Sequence, residues 1–137
     1  MNYNWSGFVA DGVIAIKRGV KLGTTAHHVA QAGTNDFAVG VSQQAPRDPQ
    51  GLPGSSATNA ADAAGDSLAV IGPGHTALIT AGDTITVGTH KGVKCDTDGK
   101  AVPITADGSD NILGIPLTSG VAGDDILIYV QPMSATD

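Results

Sequence analysis

Apolar residues in this chain come in short runs cut by Gly, Asp and Pro, and the runs alternate with polar positions more often than they recur at helical spacing. Stretches 13–16, 17–22, 37–41, 66–71, 75–79, 80–87, 112–115 and 122–130 fit this grammar. Period-two alternation bounded by turn residues predicts β-strands. Gly and Asp supply the turns, Gly because it tolerates positive φ and Asp because its carboxylate bonds nearby backbone N–H groups. Stretch 24–32 fits either a strand or one helical turn, and the strand is preferred. The expected fold class is all-β, a compact β-sandwich or barrel of short strands.

The second half of the pattern echoes the first. Gly19-Val20-Lys21 and Ala38-Val39-Gly40-Val41 recur 73 to 74 positions later as Gly92-Val93-Lys94 and Ile112-Leu113-Gly114-Ile115. Ala64-Gly65-Asp66-Ser67-Leu68 returns after 58 positions as Ala122-Gly123-Asp124-Asp125-Ile126, so a first copy would carry a 16-residue insertion. Two readings fit: a pair of related β-units, or common turn-strand phrases that recur by chance.

The insertion falls where the composition changes. Pro46, Pro49 and Pro53 with Gly51 and Gly54 exclude a central strand or an unbroken helix, so 42–64 reads as a long loop, with one short alanine-rich helix at 58–64. Loops of this length in a compact domain are usually either functional or disordered. The resulting division is an N-terminal arm over 1–12, a single β-domain over 13–131 and a tail over 132–137 that leaves the fold at Pro132.

Composition narrows the function. All 13 acidic residues are Asp, with no Glu, and 19 Gly accompany 7 Pro, which favours turns over helices. The net charge of −6 argues against a nucleic-acid partner, which needs a basic face. Lys17, Arg18, Lys21, Lys91 and Lys94 cluster in two places, as a small basic face or, preferably, as strand charges that guard an edge. No run approaches the twenty or so apolar residues that cross a bilayer, and the first residues lack the pattern of a secretion signal, so no membrane partner is expected and synthesis in a cytoplasm fits. Cys95 is the only cysteine, which excludes an internal disulfide.

Candidate chemistry is thin. His27, His28, His75 and His90 show no metalloprotease spacing, and neighbouring His27 and His28 on a strand would face opposite ways. Asp96-Thr97-Asp98-Gly99 opens like a calcium loop but has Asp107 where that loop needs a bidentate Glu, so an Asp-Gly hairpin turn is preferred. No nucleophile elbow or phosphate loop occurs, and neither Lys91 nor Lys100 has a carrier-domain context. The expectation is no enzyme, no cofactor and no metal. Three of the five aromatic side chains, Tyr3, Trp5 and Phe8, lie in the first eight residues, either packed on the core or used as an anchor on a partner.

Thr80-Ala81-Gly82-Asp83, Asp98-Gly99-Lys100-Ala101-Val102-Pro103, Ile112-Leu113-Gly114-Ile115-Pro116-Leu117 and Ala122-Gly123-Asp124-Asp125-Ile126-Leu127-Ile128 together resemble the capsid decoration, or cement, proteins of tailed bacteriophages. The likeness covers residues 80–130 well and 13–72 loosely, and Pro116 stands where those proteins commonly have a small residue. The resemblance implies a structural protein on the exterior of the virion, bound to the major capsid protein, with trimers favoured over dimers and no catalytic residues. Tyr3, Trp5, Phe8, Pro46, Leu52 and Pro53 are then the candidate contacts to capsid or neighbouring subunits. The competing class is a carbohydrate- or host-surface-binding β-module of a virion appendage, with Trp5 and Tyr129 exposed as a sugar platform.

Overall fold

Short alternating runs between turns become twelve strands in the computed structural model, which describes residues 4–42, 59–61, 64–104 and 110–134. The first group is β1 (Asn4–Ala10), β2 (Ile14–Ala15), β3 (Gly19–Leu22), β4 (His28–Gln31), β5 (Gly40–Ser42), β6 (Asn59–Ala61) and β7 (Ser67–Ile71). The second is β8 (Thr76–Thr80), β9 (Val93–Cys95), β10 (Ala101–Pro103), β11 (Asn111–Pro116) and β12 (Asp125–Ser134). No helix occurs among the described residues. The fold is all-β, as the alternation predicts.

Strands β1-β4-β3-β5-β7 close into a barrel, and β10-β9-β11-β12-β8 form a five-stranded sheet, while β2 and β6 pair separately. Read as β4-β3-β5-β7-β1 and β10-β9-β11-β12-β8, the two orders coincide. Their senses coincide too: successive pairs are antiparallel, and the closing contact is parallel, β1 on β4 in the first unit and a single Ala81–Ala101 bridge in the second. The registers match residue by residue. Val20 pairs with Gly40 as Val93 pairs with Gly114, and Val41 pairs with Ile71 as Ile115 pairs with Tyr129.

The repeated Ala-Gly-Asp phrase has a physical role in both copies. In the first unit the Ala10 N–H donates to the Asp66 carbonyl (2.9 Å), Gly65 N–H to Ala10 (2.8 Å) and Asp11 N–H to Val29 (2.9 Å). In the second, Ala81 donates to Asp124 (2.7 Å), Gly123 to Ala81 (2.8 Å) and Gly82 to Ala101 (2.7 Å). These bonds tie the turn before the long strand to the end of the closing strand. Gly65 at φ 93° and Gly123 at φ 94° fill the same left-handed position, which other residues enter only with strain. Of the two readings of the recurring phrases, the structure supports two related units.

Side chains divide between two cores. Ala10, Ile14, Val20, Val29, Leu68 and Val70 fill the first barrel. The second core holds Ile79, Ile85, Val93, Leu113, Ile126, Ile128 and Val130, and also takes Ala32, Ala38 and Val41 from the first unit, with Ile71 packed against it. The second unit is therefore completed by the outer side of the first.

Several expected boundaries move. Residues 4–10, read as part of an arm, form β1 and pair with both β4 and β7. Asn59–Ala61, inside the expected alanine-rich helix, forms β6 against Ile14 and Ala15, because pairing with an open strand edge outweighs the intrinsic preference of Ala. Strand β12 runs through Pro132 to Ser134 instead of ending there. Val130 still bonds to Gly74 and His75 on the far side, but beyond it the register runs on with β11 alone, so no second ladder calls for the N–H that Pro132 lacks.

Candidate interaction surface

Several charged side chains near the strands are matched within the chain. Lys21 Nζ lies 2.9 Å from Asp36 Oδ2, and at the equivalent place in the second unit Lys94 Nζ lies 2.8 Å from Asp110 Oδ1. Lys17 Nζ lies 2.7 Å from Asp125 Oδ2 and so joins the two units. The ammonium of Lys21, with the Gly33 N–H, holds the Asp36 carboxyl below its ordinary range, and Lys17, with the Thr80 hydroxyl, does the same for Asp125. Three of the four lysines in the two clusters, Lys17, Lys21 and Lys94, are thus neutralised by aspartates.

The candidate metal and hydrolytic residues are dispersed. His28 Nδ1 sits 2.6 Å from Asp11 Oδ1, whereas His90 Nδ1 accepts the Thr86 N–H at 2.9 Å. Among the described residues no group of three potential ligands could hold a metal. Asp96 Oδ1 accepts the N–H groups of Asp98 (2.8 Å) and Lys100 (2.9 Å), which builds the turn of the β9–β10 hairpin. The calcium-like phrase is thus used in the hairpin. Cys95 is buried beneath Gly19, and desolvation, followed by the charges of Asp96 and Asp36, pushes its thiol up to about 12.

The proposed contact residues distribute unevenly. Phe8 is half-buried against the first core, and the Trp5 backbone pairs with Val70 in β1. Tyr3, Pro46, Leu52 and Pro53 lie outside the described residues. A groove of about 350 Å³ opens between the units, lined by Leu22, Phe37, Val39, Pro73 and Pro132 among others, with no ionisable group in its lining. Such a lining offers no acid or base to a substrate.

One apolar face was not singled out from sequence. On the outer side of the second sheet, Leu78 faces Leu127 and Ile115 faces Tyr129 across neighbouring strands, with Leu117 continuing the row. Leu78 is 45% exposed, Leu117 44%, Ile115 39% and Tyr129 37%. The signal for it was the unbroken apolar run 126–130, which must present apolar groups on both sides of its strand.

Fold and surface together define an all-β protein of two like units with an exposed apolar face on the second. No family model matches the chain, and no curated protein matches it. Among solved structures it is similar to the crystal structure of the head fiber gp8.5 N base of bacteriophage phi29, with a TM-score of 0.62 and 18% identity over 93% of this chain and 92% of that one. At that identity the likeness shows a shared fold.

Proposed function

We propose that this chain is a structural protein of a tailed-phage virion that binds the outer surface of the assembled capsid and stabilises it, as a decoration or cement protein. The observation that carries the reading is the shared fold, over nearly the whole of both chains, with the base of a phage head fiber. The resemblance of residues 80–130 to capsid decoration proteins points the same way from sequence. The partners are the major capsid protein and further copies of this chain, trimers being favoured, and the place is the capsid exterior. No nucleic acid, membrane, cofactor or catalytic step enters the reading.

The physics suits that role. Many copies on a symmetric lattice multiply weak single contacts into high avidity. Tyr3, Trp5, Pro46, Leu52 and Pro53 supply the capsid contacts, while Phe8, packed on the first core, anchors the segment that carries Tyr3 and Trp5. Truncation is a poor test, because removing residues 1–8 takes most of β1 out of the barrel. Trp5→Ala, Tyr3→Ala and replacement of 46–53 by a Gly/Ser segment keep the whole length of chain that forms β1. Co-sedimentation with empty heads is expected to saturate for the wild type and to fall at least tenfold for the combined variant. No co-sedimentation of the wild type, together with binding on a glycan array, would replace this reading by a carbohydrate-binding module.

A further inference from the structure

The two units differ in one telling respect. Val41 and Ile71, a cross-strand pair on the outside of the first barrel, pack against the second core, and Val41 is fully buried. Ile115 and Tyr129 hold the same register positions in the second unit and remain exposed, at 39% and 37%. They continue into Leu78, Leu117 and Leu127 as one apolar face. Inside this chain, the surface that covers such a pair is the core side of another unit of the same fold.

We infer that the outer face of β8, β11 and β12 docks against a second copy of this chain. Internal repetition supplies the first argument, since the covered pair in the first unit shows that this position on the fold takes a protein surface of like kind when one is beside it. Charge supplies the second. Each copy carries a net −6, so copies approach one another favourably only through a neutral patch. The outward positions on β8 and β12 are Thr76, Leu78, Leu127 and Tyr129, none charged at neutral pH, and Asp125 at the rim is already paired with Lys17. A stable contact takes about 800 Å² from each partner, so the flanking threonines and the Leu117 turn join the buried area. The inference identifies the self-contact within the capsid-binding reading, and rests on that reading only for where the oligomer sits.

Light scattering on the eluting full-length protein, over a hundredfold range of concentration, tests it. The wild type is expected at a multiple of 13.6 kDa. Leu78→Lys with Leu117→Lys is expected to raise the dissociation constant at least a hundredfold and leave monomer. The milder Leu78→Thr, which suits a strand, is expected to raise it at least threefold with an unchanged unfolding midpoint. Leu22→Lys, in the groove between the units, is expected to leave the oligomer intact. A monomeric wild type, or an oligomer indifferent to both face variants, overturns the inference. So does a face variant that keeps its oligomer but loses binding to empty heads, which would assign the face to the capsid. Head binding by a wild-type monomer would sink the self-contact and leave the capsid reading standing, whereas an oligomer that ignores heads would do the reverse.

Discussion

Gly40 and Gly114 occupy the same place in the two units, and adding one methyl group to each measures how closely the strands are pressed. A Cβ on Gly114 would run into the Tyr129 carbonyl oxygen and stand 3.1 Å from its carbonyl carbon and 3.3 Å from the Val130 Cα. A Cβ on Gly40 would stand 2.5 Å from both the Ile71 carbonyl oxygen and the Val70 Cγ1. The first obstacle is backbone throughout, so β11 must lift from β12 over a stretch where each strand supports the other. Overpacking of this kind costs about 1–3 kcal/mol. The alanine recovers about 0.5–1 kcal/mol, because it narrows the unfolded ensemble. Because backbone cannot swing aside, the clash belongs in the upper half of that range, and the net for Gly114→Ala is a loss of about 1–2.5 kcal/mol. At roughly 4 °C per kcal/mol for a chain of this size, the midpoint falls by about 4–10 °C. Gly40→Ala is expected to lose a similar amount, moderated by rotation of the Val70 side chain. Gly12 meets nothing within 4 Å of its virtual Cβ, so Gly12→Ala serves as the control, unchanged or slightly more stable. Urea unfolding gives all three values with their m-values. A Gly114→Ala protein as stable as the Gly12→Ala control would refute the close β11–β12 contact, and with it the matched registers.

Three further outcomes are expected. Asp110 is 3% exposed beside Lys94, while the equivalent Asp36 is 34% exposed beside Lys21. Asp110→Ala, which strands a shielded ammonium, should therefore cost about 3 kcal/mol in urea unfolding, and Lys21→Ala less than about 1 kcal/mol; equal losses would contradict the burial difference. The carboxyls of Asp36 and Asp125 are held below their ordinary 3.8 when folded, so the stability they add is present above that value and disappears as the pH falls through the lower folded values. Urea midpoints at pH 6, 4 and 3 should fall more gently for Asp125→Asn than for the wild type, and parallel curves would remove Asp125 from the account. With its thiol pushed up to about 12 and buried, Cys95 should react with a disulfide reagent at pH 8 only as fast as the protein opens, and stoichiometric labelling within seconds in native buffer would contradict that burial.

The strands were legible in the sequence wherever a turn carried its own chemistry. The Asp96–Lys100 hairpin is local, so its Asp and Gly announce it. The recurring Ala-Gly-Asp and Gly-Val-Lys phrases were visible because each performs the same bonding in both units. What stayed hidden depends on partners distant along the chain. Strand β1, with Asn4, Ser6 and Gly7 interrupting its apolar positions, looks like an arm until β7 pairs with it some sixty residues later. The Lys21–Asp36 and Lys94–Asp110 pairs join residues fifteen or sixteen apart that only the strand crossings bring together. A similar limit applies to the exposed face. In 126–130 every residue is apolar, so alternation tells that Ile126, Ile128 and Val130 share one side without telling which side is the core.

The link Gly72-Pro73-Gly74 between the units reads like a hinge, yet the bonding across the seam argues against hinge motion. Lys17 gives its carbonyl to the Thr80 N–H (3.0 Å) and its ammonium to Asp125, while Gly19 N–H reaches the Gly99 carbonyl at 2.8 Å. Gln31 Nε2 donates to the Asp98 carbonyl at 2.9 Å, and Asn35 accepts two hydrogen bonds from Asn111, at its Oδ1 from the Asn111 N–H and at its carbonyl from Asn111 Nδ2. Beneath these bonds Ala32, Ala38 and Val41 are integral to the second core. Units joined by a polar, wet contact rock against one another, and only an extensive apolar contact suppresses that motion. Here the core of one unit is built partly from the other, so bending the link would open a cavity at Val41 and cost roughly the burial of several aliphatic groups, about 1.5–3 kcal/mol each. A force applied at the N-terminal segment therefore reaches the face formed by Ile115 and Tyr129 through packed side chains. The role proposed above, a brace on the outside of a shell, would call for that stiffness, because a hinge between its contact points would absorb the strain it has to resist.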